Sequence, residues 1–262
     1  MISCTKEEIT MINHNVFNST SARTIANQLG CFTVVEYMKD ISVSPTSAQT
    51  AYFMSKMGVH KRQVIASLNQ QGIILQAGAM QMIVGAVEMN TNVKGAGDFM
   101  KKWVGSKVTK ETAIKPRYFG TGQVILEPTY KYILLEDIAK WNGSIVIEDG
   151  MFLACQDNVE MKVVGRSSFS SAIAGGEGLF NTCLSGSGIV CLESPVPAEE
   201  LLVFDIINDT LKIDGNMAIA WSNTLQFTVE RSSKTLIGSA ASGEGLVNVY
   251  RGTGRVLVAP VT

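Results

Sequence analysis

The sequence has few of the residues from which metal sites and catalytic triads are built. It contains two histidines, His14 and His60, and five cysteines with no Cys-x-x-Cys pair. Neither histidine lies near a recognisable nucleophile motif, which argues against a zinc site or a Ser-His-Asp triad. An odd number of widely spaced cysteines favours reduced thiols over a disulfide framework. The sequence therefore predicts no catalytic residues, no metal and no cofactor.

The chain also lacks a surplus of basic charge and a long apolar run. Its formal net charge is −1 over 262 residues, so nucleic-acid binding would need a local basic patch. No apolar segment approaches the roughly 18 residues of a membrane span. The N-terminal residues include Glu7 and Glu8 and have no basic start, which is unlike a targeting segment. A cytoplasmic protein is the expectation.

Three short strings recur at a fixed interval. They are GTGQVILEP from Gly120, GSGIVCLESP from Gly186 and GTGRVLVAP from Gly252, and 186 − 120 and 252 − 186 are both 66. Each string has Gly-Ser/Thr-Gly, an apolar run typical of a strand, and a closing proline that ends strand pairing. Such regularity indicates an internal repeat.

The repeat predicts an all-β body over residues 68–262, divided into units at about 68–140, 141–206 and 207–262. We expect layered sheets related by a pseudo-threefold axis. An Asp-Gly pair in SIVIEDGMFLAC is a hairpin signal, and the Gly-Ser-Gly string from Gly186 is interpreted as a second hairpin turn. The glycines enter strands and no lysine follows them, so structural turns are favoured over a phosphate loop.

Residues 1–67 are interpreted as an N-terminal extension that packs on the body. CFTVVEYM, from Cys31, alternates like one strand. The segment SPTSAQTAYFMSKMG predicts a short helix, with Ser44 or Thr46 as its N-cap and Gly58 as its end. The strand RQVIASL is expected to follow.

A glutamate recurs in each unit, at Glu111, Glu177 and Glu244. One hypothesis is that each carboxylate accepts hydrogen bonds from backbone amides at a local turn. The other is that the three converge and bind a cation, because like charges brought close repel unless something positive lies between them. Local capping is the favoured interpretation, and these glutamates are the weak metal candidates of the chain.

Two further groups of residues are candidate sites. Cys183 and Cys191 lie symmetrically about Ser187, so the predicted hairpin would make them face each other as reduced, buried thiols. The basic stretch before Glu111 is interpreted as a solvated loop or as a surface for RNA or another anionic partner. Its lysines are Lys94, Lys101, Lys102, Lys107 and Lys110.

The strings GGEGLF…GSGIVCLESP and GEGL…GTGRVLVAP, with EDGMFLAC and GNMAIAW, resemble the altered-inheritance-of-mitochondria protein twenty-four family. The resemblance covers about residues 68–260. It implies a fold similar to the tryptophan-RNA-binding attenuation protein, with layered sheets in a double-stranded β-helix arrangement. Bacterial members have no assigned activity, and eukaryotic relatives are linked to mitochondrial inner-membrane organisation. The first unit departs from the pattern, because it lacks the GEGL string.

Three functions remain open at this point. The leading hypothesis is an uncharacterised, non-enzymatic scaffold or protein-interaction module with an unidentified protein partner. The alternatives are a binder of RNA or another anionic partner through the 94–110 lysines, and a metal-binding protein or enzyme that uses the three glutamates. The sequence leaves homo-oligomer formation open.

Overall fold

The described part of the chain is all-β with one short α-helix, as the sequence predicts. The structure is a computed structural model that describes residues 12–91, 115–165, 180–231 and 246–260. Helix α1 spans Ala48–Lys56. Fifteen strands lie in the described residues: β1 Arg23–Leu29, β2 Phe32–Tyr37, β3 Lys61–Leu75, β4 Met80–Asn90, β5 Arg117–Leu126, β6 Tyr132–Asp137, β7 Ser144–Ile147, β8 Phe152–Gln156, β9 Val159–Gly165, β10 Phe180–Gly186, β11 Ile189–Ser194, β12 Leu202–Asp214, β13 Ala218–Ser222, β14 Gln226–Arg231 and β15 Leu246–Val258.

The strands form two sheets. The first has the order β1-β2-β3-β8-β11-β6, and β5 pairs with the other edge of β3 and with β4. The second has the order β12-β15-β13-β7-β10-β9, and β14 also pairs with β15. The pairings between these strands are antiparallel.

The main core lies where the two sheets meet. One cluster of buried residues draws Phe152 and Leu192 from the first sheet and Ile147 and Leu257 from the second. Trp141, from a 3₁₀ turn between β6 and β7, is fully buried in the same cluster. Each sheet also has its own apolar cluster. Removal of this apolar surface from water holds the two sheets together.

The predicted hairpins are wrong. The turn at Ser187 joins β10, in the second sheet, to β11, in the first. The Asp-Gly turn at Gly150 likewise joins β7 of the second sheet to β8 of the first. The turn signals were correctly placed, but each turn carries the chain from one sheet to the other. The strands on either side of these turns therefore pair with other strands and not with each other.

The glycine strings accompany irregularities in the sheets. Gly120 lies inside β5 and Gly252 inside β15. Opposite them, Gln70 in β3 and Asn208 in β12 have φ values of 53° and 50°, and the pairing register shifts at these residues. The threonine between the two glycines accepts a hydrogen bond from the displaced amide. The two bonds are Gln70 N–H to Oγ1 of Thr121 at 3.4 Å and Asn208 N–H to Oγ1 of Thr253 at 3.0 Å.

Each Gly-Thr-Gly string thus accommodates a β-bulge in the strand that pairs with it, β3 for the first and β12 for the second. Glycine tolerates the unusual backbone, and the threonine hydroxyl satisfies an amide that the ladder leaves unpaired. The prolines behave as predicted, since Pro128, Pro195 and Pro260 each follow soon after the end of a strand. A structural role for the glycines is the interpretation that the local geometry supports.

The pairing register recurs at the 66-residue interval. Residues 118, 184 and 250 are 66 apart and pair with β3, β7 and β12, respectively. Residues 124, 190 and 256 have the same spacing and pair with β4, β8 and β13. The pairs of the first kind are Ile73↔Tyr118, Ile145↔Leu184 and Leu211↔Tyr250. Those of the second kind are Ile83↔Val124, Cys155↔Val190 and Trp221↔Val256. Strand positions in the three units therefore correspond by number, and the pseudo-threefold axis stays a prediction.

The N-terminal part of the chain differs from expectation in three details. It contains two strands, β1 and β2, where the sequence predicted one. Strand β1 was missed because RTIANQL carries few apolar residues. The helix was predicted, but its N-cap is Ser47, not Ser44 or Thr46, and no side chain caps it. Strand β3 begins at Lys61 and runs across residue 68, where the sequence divided extension from body.

Replacement of Gly120 by alanine should destabilise the protein strongly. Gly120 has a φ of 144°, and a Cβ there would overlap the carbonyl oxygen of Ala86. We expect a loss of about 3 kcal/mol of unfolding free energy in urea titration. Gly215→Ala is the control, because Gly215 has a φ of 67° and nothing within 4 Å of the added atom. Its cost should be about 1 kcal/mol, and equal losses would contradict this account.

Candidate functional site

The site residues predicted from the sequence lie outside the described residues. This holds for Glu111, Glu177 and Glu244 and for all five lysines, Lys94, Lys101, Lys102, Lys107 and Lys110. Their convergence, capping role and partner chemistry therefore remain predictions. Within residues 12–91, 115–165, 180–231 and 246–260, no group of three His, Cys, Asp or Glu side chains could hold a metal ion.

The prediction that Cys183 and Cys191 face each other is wrong. Cys183 pairs with Val146 and Lys162 in the second sheet. Cys191 pairs with Leu135 and Ala154 in the first. The two cysteines separate because the chain changes sheet at the intervening turn. Both are free and buried, as the sequence predicts.

The buried thiols are poorly suited to nucleophilic chemistry. Burial raises the pKa of Cys31 to about 11 and that of Cys155 to about 12. Burial also raises the pKa of Cys183, and it raises that of Cys191 well above its ordinary value. Since the thiolate is the reactive form, these four side chains are inert near neutral pH. They serve as small core residues.

A cavity of about 540 Å³ lies between the β1–β2 hairpin, helix α1 and the start of β3. Its walls combine apolar side chains, such as Met54 and Val59, with the polar side chains of Arg23 and Tyr37. A second cavity of about 370 Å³ adjoins it and shares Arg23 and Tyr37. The larger volume is in the range of small-molecule sites.

An ion-pair network lies at one end of this cavity. Oε1 of Glu36 accepts a hydrogen bond from the Arg62 guanidinium at 2.6 Å and interacts with Nδ1 of His60 at 3.1 Å. Nε2 of His60 hydrogen-bonds with the carbonyl oxygen of Ser55, in α1, at 3.2 Å. The guanidinium lies 4.0 Å from the ring centroid of Tyr132. The network ties the helix to β2 and β3.

Other polar groups of the cavity are also paired with one another. Lys61 forms an ion pair with Asp40 at 3.3 Å, and the hydroxyl of Tyr37 donates to Gln63 at 2.7 Å. The Lys61 ammonium lowers the pKa of the Asp40 carboxyl, and the Asp40 carboxylate raises the pKa of Lys61. These pairings hold β2 and the loop that follows it against β3, and they supply no activated nucleophile with a partner base.

Sequence reasoning missed this region. His60 was noticed, but its partners are distant in the chain. Glu36 and Arg62 meet because β2 pairs with β3 in a register that places them opposite each other. The sequence shows only a carboxylate, Glu36, in one strand and a basic residue, Arg62, in another. The strand pairing is needed to show that the two side chains form an ion pair.

Each sheet has an edge strand with several exposed apolar side chains. Strand β4 pairs with β5 alone, and β12 pairs with β15 alone, among the described strands. Met82, Ile83 and Met89 are exposed on β4. Leu202, Val203, Phe204 and Ile207 are exposed on β12. Exposed strand edges with apolar side chains can accept another strand.

Comparison with known proteins places this fold in a family. Residues 56–261 match the family described as mitochondrial biogenesis AIM24, and the chain belongs to that family. An uncharacterised protein of Streptococcus pyogenes serotype M6 is 27% identical over 194 residues, which cover 71% of this chain and 75% of the relative. The match confirms the resemblance seen in the glycine strings.

A crystal structure of a Streptococcus pyogenes protein has a similar fold. Its TM-score is 0.56 at 22% sequence identity, over 78% of this chain and 89% of the other. This likeness concerns the fold alone. In the described part of this chain, no helix has the length and apolar character needed to cross a membrane.

The cysteine assignments predict slow thiol chemistry in the folded state. In a Cys4→Ser variant at about pH 8, where an exposed thiol is partly ionised, Ellman's reagent should react very slowly. Unfolding without reductant should then release all four described thiols. A smaller count after unfolding would indicate a disulfide. Rapid reaction before unfolding would contradict the burial of the thiols.

Proposed function

We propose that the protein is a non-enzymatic scaffold, an interaction module whose partner adds an extended strand to the outer edge of β12. The observation that carries the proposal is the exposure of the first residues of that strand. Leu202, Val203 and Phe204 have relative accessibilities of 47%, 54% and 37%. These side chains are strand-forming residues at an edge that no described strand covers.

The corresponding residues of β3 suggest what such an edge can bind. Ile65 pairs with Ile125, and Val203 pairs with Leu257, and 257 − 125 is twice the 66-residue interval. By this correspondence, Leu202, Val203 and Phe204 match Val64, Ile65 and Ala66 of β3. The β3 residues are at most 1% exposed.

Strand β2 pairs with these residues of β3. It pairs Val34 with Val64, Thr33 with Ile65 and Phe32 with Ala66. Strand β2 supplies backbone hydrogen bonds and apolar side chains, the two contributions that strand addition requires. We infer that the partner of β12 presents an extended segment of similar chemistry, apolar on the face that meets the core.

A strand-addition partner should be sensitive to charge at this edge. Val203→Lys places an ammonium group on the edge, which disfavours pairing with another strand. We expect partner proteins captured from the native host by cross-linking to be lost with Val203→Lys. The purified partner should bind this variant at least about tenfold more weakly.

Ile41→Lys is the matched control, because Ile41 is 79% exposed and lies in a loop. It should leave capture unchanged, and both variants should melt like the parent protein. A partner that binds both variants equally well would contradict the proposal. Equal loss with both variants would also contradict it, because the effect would then not depend on the edge.

A further inference from the structure

Two short ladders connect the successive parts of the body. In the first, the end of β3 pairs with β8, and in the second, β7 pairs with β13. Each covers three residue pairs and each is antiparallel. The pairs are Ile73↔Gln156, Ile74↔Cys155 and Leu75↔Ala154, then Ile145↔Ser222, Val146↔Trp221 and Ile147↔Ala220.

The two ladders occupy corresponding positions in the fold. Ile73 and Ile145 are the residues that pair with positions 118 and 184. Cys155 and Trp221 are the residues that pair with positions 190 and 256. Both ladders are therefore built from the same strand positions, one 66-residue interval apart.

The same correspondence defines a third ladder that the chain does not form. Leu211 pairs with position 250, and Ile83 pairs with position 124, so these residues occupy the matching places. The third ladder would join Leu211–Ile213 of β12 to Met82–Val84 of β4. Its antiparallel register would pair Leu211 with Val84, Lys212 with Ile83 and Ile213 with Met82. Among the described strands, β12 and β4 do not pair.

The absence of this third ladder explains why side chains of β4 are exposed. Met82 and Ile83 are 45% and 37% exposed. Their counterparts are buried in both formed ladders: Ala154, Cys155, Ala220 and Trp221 are at most 3% exposed. Two apolar side chains thus remain in water at the position where the rest of the fold buries them, and their burial would be favourable.

We infer that two copies of this chain associate by this pairing, with β12 of one copy against β4 of the other. The occupant is a second copy because each chain carries both unpaired edges in complementary register. Reciprocal pairing would close a dimer with two ladders. Lys212, the one charged residue of the ladder, is exposed and can keep its ammonium group in water.

The inference names one partner of β12 and so rests in part on the proposed function, but it uses the second half of the strand. The two can fail separately. Val203→Lys, in the first half, should abolish capture of host partners and leave self-association unchanged. A protein that is monomeric yet still loses its host partner with Val203→Lys would overturn this inference alone.

Sedimentation equilibrium of the full chain tests self-association. The parent protein should exceed the monomer mass at micromolar concentrations. Ile83→Lys should weaken association at least about tenfold, because it places a charge in the ladder. Met89→Lys is the control on the same strand, since Met89 is 54% exposed and lies outside the ladder. A monomeric parent protein, or association that persists in Ile83→Lys, would overturn the inference.

Directed cross-linking then identifies the strands. Lys212→Cys in one chain and Ile83→Cys in another, both on a Cys4→Ser background, should form a disulfide-linked dimer on oxidation, because directly opposite Cβ atoms lie about 5 Å apart. Lys212→Cys mixed with Met89→Cys should not. If the Lys212→Cys and Ile83→Cys changes in one chain give only an intramolecular disulfide, the chain closes on itself and the inference is wrong.

Discussion

The backbone hydrogen bonds of β5 and β15 are the interaction on which the rest of the fold depends. Each of these strands pairs on both of its edges, and each crosses a bulged partner at a Gly-Thr-Gly string. Buried amides and carbonyls must find partners, so a strand in the middle of a sheet determines the register of its neighbours. The bulge capped by threonine lets a long strand continue across this irregularity. From this register follow the two inter-unit ladders and the buried residues between the sheets.

The same constraint leaves the strand edges on which the proposed interactions rest. Among the described strands, each sheet has edge strands that pair on one side only, and β4 and β12 are among them. Strand β2 covers the corresponding edge of β3, and the Glu36–Arg62 ion pair crosses the two strands. No described strand does this for β12. Strand β3 has β2 paired along its edge, whereas the equivalent edge of β12 is unpaired in the described part of the chain and carries apolar side chains. Such an edge is well suited to accept a strand from another chain.

Much of the local structure could be predicted from the sequence. Strand β2, the helix and the prolines that end strands follow from periodicity and from the backbone limits of proline. The pairings could not be predicted, because the glycine and Asp-Gly signals specify that the chain turns but not which sheet it enters. The open edge of β12, where we propose an interaction, was missed for the same reason. In the sequence, Val203 resembles any other valine of a β-strand. Only the strand pairing shows that β12 has no described neighbour on its outer edge. The N-terminal cavity depends likewise on Glu36 and Arg62, which meet only through non-local pairing.

Residue-resolved hydrogen exchange of the dilute, isolated protein tests the central claim most directly, because it measures whether the outer edge of β12 is open. The comparison is between Leu202–Phe204 of β12 and Val64–Ala66 of β3. Amides of β12 that point away from β15 should exchange at rates close to those of an unstructured chain, while the β3 amides bonded to β2 should be strongly protected. Equal protection of the two segments would show that the chain covers this edge itself, and that result would contradict the account.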